Sequence, residues 1–153
     1  MNKIVNYILI FFFIFLLNCS YEPILNKKIY KFSINLDELN GDKIVNSIIK
    51  NNFSNLGGNE NTYDLVLSSN KEKNIISKNS KGDPAIYELI INVKYFVKKD
   101  GKTLLENEIN RKTTYNNIED KFELENYEKT IIDNLSTNIS ENIILSISNI
   151  NEW

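Results

Sequence analysis

Between Tyr127 and Ile147 an apolar residue returns at every fourth position: Tyr127, Ile131, Leu135, Ile139, Ile143 and Ile147, flanked by Leu124, Ile132 and Ile144. On a helix of 3.6 residues per turn these side chains form one slowly drifting stripe. Asn117 is placed to cap that helix, and Glu119 and Asp120 put negative charge in its first turn. Run from about residue 119 to 149, it is roughly 45 Å long. A helix of that length with a single apolar stripe needs a broad, flat partner to cross, which a sheet provides.

The preceding residues read as that sheet. Tyr30, Phe32, Ile34 and Leu36 alternate with Lys31, Ser33 and Asn35, so Ile29 to Leu36 is a half-buried strand that Asn40-Gly41-Asp42 breaks. Ile44, Val45, Ile48, Ile49 and Phe53 then recur at helical spacing. Asp42 suits the start of that short helix, and Gly57-Gly58 stops it. Tyr63, Leu65 and Leu67 alternate as a second strand, while the polar run Lys71 to Asn79 reads as a loop or a weak strand beginning. From Pro84 on, Tyr87, Leu89, Ile91, Val93, Tyr95 and Val97 share one face. Asp100-Gly101 supplies the two positive φ angles of a type I′ turn, and Leu104 to Tyr115 returns as the other arm of a long hairpin. The order β-α-β-β-β-α gives an α+β fold. It is a two-layer sandwich, with two helices on one face of a mostly antiparallel four-stranded sheet.

Ahead of this single domain, residues 29–150, stands a different kind of segment. Lys3 is followed by an unbroken apolar run from Ile8 to Leu17, which ends at Asn18-Cys19. A membrane-spanning helix needs about 20 apolar residues, so residues 1–18 read as a removable secretory signal. Leu16-Leu17-Asn18-Cys19 resembles the lipobox of bacterial lipoproteins, which implies covalent diacylglycerol and an N-acyl lipid such as palmitate on Cys19. Residues 19–28 are then a lipidated, extended tether, with Pro23 unsuited to helix or sheet pairing. The other reading is an ordinary signal peptide with a chance cysteine. Cys19 is the only cysteine, so it cannot form an internal disulfide. Ser20, rather than the Asp associated with inner-membrane retention, favours the outer membrane.

Composition narrows the chemistry. The chain has no histidine, and with Cys19 acylated it also lacks a free thiol. The commonest general base, thiol catalysis and zinc sites are thereby removed, so neither an enzyme nor a metal cofactor is expected. A Ser–Lys hydrolase remains formally open, but no spacing points to one. The balance of 18 basic and 20 acidic residues lacks the basic surplus of a nucleic-acid binder.

Three passages carry a likeness to a known family: Cys19-Ser20-Tyr21-Glu22-Pro23-Ile24-Leu25, the long strand and turn from Tyr87 to Gly101, and Thr113-Thr114-Tyr115-Asn116 leading through Phe122 into the last helix. Together they resemble the LPS-assembly lipoproteins (LptE, RlpB-like), particularly the alphaproteobacterial type. Ile86 stands near the place where that family commonly has an Arg, and Asn18 stands where it has Gly. The resemblance implies a non-enzymatic subunit of the outer-membrane lipopolysaccharide translocon. Such a protein is held to the membrane by its lipid anchor, plugs a large LptD-like β-barrel and contacts lipopolysaccharide. Because phosphate prefers Arg and clustered Lys, Lys98, Lys99 and Lys102 at the hairpin tip, with Arg111 and Lys112 on the returning strand, are the candidate contacts to lipid A phosphates. A solvated turn and strand face is the plainer reading of the same residues. Likewise, an envelope lipoprotein unrelated to lipopolysaccharide, acting as a protein-binding or scaffold module, is an alternative that the same sandwich could serve.

Overall fold

The computed structural model describes residues 30–54, 56–58 and 60–151. The signal, Cys19 and the tether lie outside the described residues. Six elements follow one another: β1 (Phe32–Gly41), α1 (Lys43–Phe53), β2 (Asn61–Lys78), β3 (Pro84–Lys99), β4 (Lys102–Asn116) and α2 (Lys121–Asn151). The sheet order is β1-β2-β3-β4, with β1 parallel to β2 and the other neighbours antiparallel. Helix α1 is the crossover that the parallel pair requires. No helix among the described residues is long and apolar enough to cross a membrane.

Alternation decides which face the helices cover. Leu65 and Leu67 of β2 and Leu89, Ile91, Val93, Tyr95 and Val97 of β3 are buried. They meet Val45, Ile49 and Phe53 of α1 and the α2 stripe from Ile131 to Ile147. Tyr95, wholly buried, satisfies its hydroxyl with Ser146 Oγ of α2 at 3.2 Å. The two helices touch through short polar residues. Ser136 and Ser140 are fully buried, and Asn52 Nδ2 of α1 donates to Thr137 Oγ1 at 3.3 Å and Ser140 Oγ at 3.1 Å.

Four local expectations change. First, Lys71–Lys78 is neither loop nor weak strand beginning; it continues β2, in register with β3 from Lys71 opposite Ile91 to Ile75 opposite Tyr87. The strongly apolar β3 arm, with its own tight turn to β4, holds that polar segment in the ladder. Second, β1 runs on through Asn40-Gly41 instead of ending at Leu36. Third, Asn117 does not cap α2. Its side chain donates to Pro84 O at 2.9 Å, and Asp120 accepts from Phe122 N and Glu123 N at 2.8 and 3.0 Å. Fourth, Ile44 is 51 % exposed while Asn46 is buried, because Asn46 is bound under the β1–α1 corner by Ser69 Oγ (2.8 Å) and Asn40 O (3.0 Å). The type I′ turn stands as read, with φ of 52° at Asp100 and 75° at Gly101.

Asp42 caps α1 as expected. Its carboxylate accepts from Ile44 N and Val45 N, both at 3.0 Å, and pairs with Lys71 Nζ at 3.0 Å. Burial pushes its pKa up, but the Val45 N–H, Lys71 and the Ile44 N–H outweigh burial and hold it below the ordinary carboxylate value. A lowered folded-state pKa stabilises the fold above the unfolded pKa, and that contribution fades as pH falls through the folded value. Asp42→Ala is therefore expected to cost about 1 kcal/mol at neutral pH. In urea titrations the gap between wild type and variant should shrink below about pH 4. A gap independent of pH would show that the carboxylate charge plays no part.

Candidate functional site

The five basic residues singled out in the sequence do not converge. Lys98 is half-buried on the sheet face away from the helices, in register with Asp64 and Thr103. Lys99 turns to the helix side, where Nζ donates to Asn61 Oδ1 at 2.7 Å and lies 5.7 Å from the Tyr63 ring centre. Lys102 is exposed on the turn, opposite Lys99. Arg111 also faces the helices, donating from Nε to Asn138 Oδ1 at 2.7 Å and from Nη1 to Asn110 O at 2.9 Å. Lys112 is back on the open face, 3.3 Å from Glu88. Lys102 and Arg111 stand nine residues apart on β4, roughly 30 Å. Strand alternation, visible in the numbering, already separates Lys98 and Lys112 from Lys99 and Arg111.

What the structure does assemble is the uncovered face of the sheet, which sequence reasoning assigned no role. Successive cross-strand rows there are Ser68–Lys94–Glu108, Asn70–Asn92–Asn110 and Glu72–Ile90–Lys112. Toward β1 the surface continues with Ser33 hydrogen-bonded to Thr62 and Asn35 to Asp64, each at 3.0 Å. Lys94 bridges to Glu106 at 2.8 Å and passes 5.1 Å from the Phe96 ring, while Asn92 Nδ2 donates to Glu108. The Glu106 hydrogen bond and charge raise the Lys94 pKa. Both charge signs are present and mostly paired, with Asn, Ser and Thr between them. This is a predominantly polar, hydrogen-bonding surface without a large field of one sign. The signal for it was the polar set alternating with the apolar one along two long strands.

At the start of α2 a second group locks helix to sheet. Glu128 Oε1 accepts from Tyr115 OH at 2.7 Å and from Lys73 Nζ, and that amine lies 4.1 Å from the Tyr87 ring centre. Tyr87 stacks on Tyr115 at 5.6 Å, and Tyr127 meets Tyr115 edge-on at 6.0 Å. Burial first, then the Glu128 carboxylate, drives the Tyr115 pKa far above its ordinary value, so this hydroxyl stays a donor. These residues serve as a clamp, which also explains why half-exposed Tyr127 belongs to the α2 stripe.

No protein-family profile matches the chain, and no curated protein matches it. Solved structures do. Rare lipoprotein B from Shewanella oneidensis superposes with a TM-score of 0.55 at 19 % identity, over 76 % of this chain and 99 % of that one. Lipoprotein B from Nitrosomonas europaea gives 0.58 at 13 % identity, over 79 % and 85 %. A minor lipoprotein from Acinetobacter baumannii gives 0.54 at 12 % identity, over 80 % and 94 %. At such identities the likeness is one of fold, and at that level it bears out the resemblance read from the sequence.

Proposed function

We propose that this chain is an outer-membrane lipoprotein of the LPS-assembly (LptE, RlpB-like) family. In this reading residues 1–18 are removed, Cys19 carries the diacylglyceryl and N-acyl lipids, and the domain sits as a plug inside a large β-barrel partner. There it supports assembly of the barrel and insertion of lipopolysaccharide into the outer leaflet, without catalysing a reaction.

The observation that carries this reading is the one-sided architecture. Both helices cover the same face of the sheet, and the opposite face is left mainly to Asn, Ser, Thr and paired charges, with Val66, Ile90 and Phe96 set among them. The lumen of a wide barrel is polar, and such a face meets it by hydrogen bonds with no need for a large net charge. The shared fold with lipoprotein B structures and the lipobox-like Leu16–Cys19 point the same way. Contacts to lipid A phosphates would fall to the turn lysines, chiefly Lys102, which has no acidic partner among the described residues.

A mild-detergent pull-down through a C-terminal tag, with mass spectrometry of the co-purifying proteins, tests the reading. A stoichiometric large outer-membrane β-barrel is expected. Ser68→Trp, a bulky change on an exposed position of the open face, is expected to cut barrel recovery at least tenfold while leaving the melting temperature unchanged. Correctly acylated protein with no barrel would instead support an envelope lipoprotein that acts as an independent scaffold.

A further inference from the structure

We infer that the distal edge of β2, from Asn70 to Ile75, accepts an added β-strand from an extended loop of the barrel partner; this rests on the plug reading above. The position follows from where β1 stops. Its last pair is Gly41 opposite Ser69, after which the chain turns off the sheet into α1 and β2 continues alone to Lys78. Asp42 N donates to Ser69 O at 3.2 Å, so the backbone groups of Ser69 point toward the β1 side. Outward direction recurs every second residue. The N–H and C=O of Lys71, Lys73 and Ile75 therefore point out along an edge that has no neighbouring strand among the described residues.

The other edges of the sheet are blunted, as edges of isolated domains usually are. β1 is interrupted by a bulge between Leu36 and Glu38, beside the acidic Asp37. In the middle of β4 two outward backbone groups are taken by side chains: Asn107 Oδ1 accepts from Glu108 N at 2.8 Å, and Arg111 Nη1 donates to Asn110 O at 2.9 Å. The distal β2 edge has no such cover. The Lys71 and Lys73 side chains are drawn to Asp42 and Glu128 on the helix side, leaving their backbone bare. Its first irregularity comes only between Ile75 and Ser77, and Ile75 beside it is 50 % exposed. Six regular residues, roughly 20 Å, are enough for a short strand.

Other occupants fit poorly. Tyr30 packs on Phe32 at the far end of β1, about 36 Å from Asn70 and about 53 Å from Ile75 along the sheet. Residues 19–29, anchored at Cys19, span at most ~40 Å, so they reach no further than the Asn70 end of that edge and cannot run along it to Ile75. A second copy pairing about the same centre would place Lys73 opposite Lys73, like charge on like. Barrel-wall strands are already paired on both sides, so the partner must supply a loop.

Amide hydrogen exchange on the full-length protein, alone and in its purified barrel complex, tests this directly. Alone, the amides of Lys71, Lys73 and Ile75 are expected to exchange fast, while Asn70, Glu72 and Asn74, bonded to β3, exchange slowly. In the complex the first three should slow at least tenfold. Ile75→Pro, which removes an outward N–H and no β3 bond, should remain folded and return Lys73 to fast exchange in the complex. If the barrel co-purifies and the three amides stay fast, the strand-addition inference fails and the plug reading survives. If no barrel co-purifies, or if protection appears only through a second copy of this chain, the inference is overturned.

Discussion

Gly41→Ala is expected to destabilise the domain by about 3 kcal/mol or more, a fall in melting temperature of roughly 10 °C for a chain of this size. Two costs coincide at this residue. Its φ is +97°, a backbone conformation that a side chain opposes. In addition, a Cβ there would lie 1.8 Å from Ser69 O and 2.8 Å from Ser69 C, both main-chain atoms of β2 that cannot swing aside. Relief would mean parting the end of β1 from β2 at the point where Asp42 N reaches Ser69 O and the α1 cap begins. Gly101 separates the two costs. It also has a positive φ, of 75°, but nothing lies within 4 Å of an added Cβ. Gly101→Ala should therefore cost only about 1 kcal/mol. Equal melting temperatures for the two variants would show that close approach to Ser69 contributes nothing.

The same corner marks how far the sequence could be read. Its strongest periodic signals were local ones: the four-residue apolar interval of α2, the two-residue alternation of β3, and the Asp100-Gly101 turn. Each reports its own surroundings, and each yielded the right element. Lys71–Lys78 was unreadable because its strand character is conferred by β3, whose paired residues lie six to twenty positions further along the chain, and not by its own composition. The capping of α2 went to Asp120 instead of Asn117 because the β3–β4 ladder ends at Ile86 opposite Asn116 and takes Asn117 as a tie to Pro84. Similarly, nothing local marks Asn46 for burial, which comes from Ser69 and Asn40 closing over it. The dispersal of Lys98, Lys99, Lys102, Arg111 and Lys112 was legible in principle, since odd and even positions of a strand face opposite ways. The open polar face was harder to see, because it exists only once both helices choose the same side.

Replacing Cys19 by alanine should have the largest effect on where the protein resides. Acyl chains contribute about 0.8 kcal/mol per buried CH₂; one chain alone gives only marginal binding, and several together hold a protein firmly. If Cys19 is acylated as proposed, Cys19→Ala removes every chain at once. In cells depleted of the barrel partner, the variant is expected to move from the membrane pellet to the soluble periplasmic fraction, while wild type stays in the pellet. With the barrel present, a plug held in the lumen should keep much of the variant membrane-associated despite the missing lipid. Comparing the two backgrounds thus separates the anchor from the partner. Intact-mass measurement closes the argument, since the wild-type chain should begin at Cys19 and carry the added mass of its lipids. A variant that stays pelleted without the barrel, with residues 1–18 still attached, would identify the Ile8–Leu17 segment as the membrane attachment and overturn lipid anchoring at Cys19.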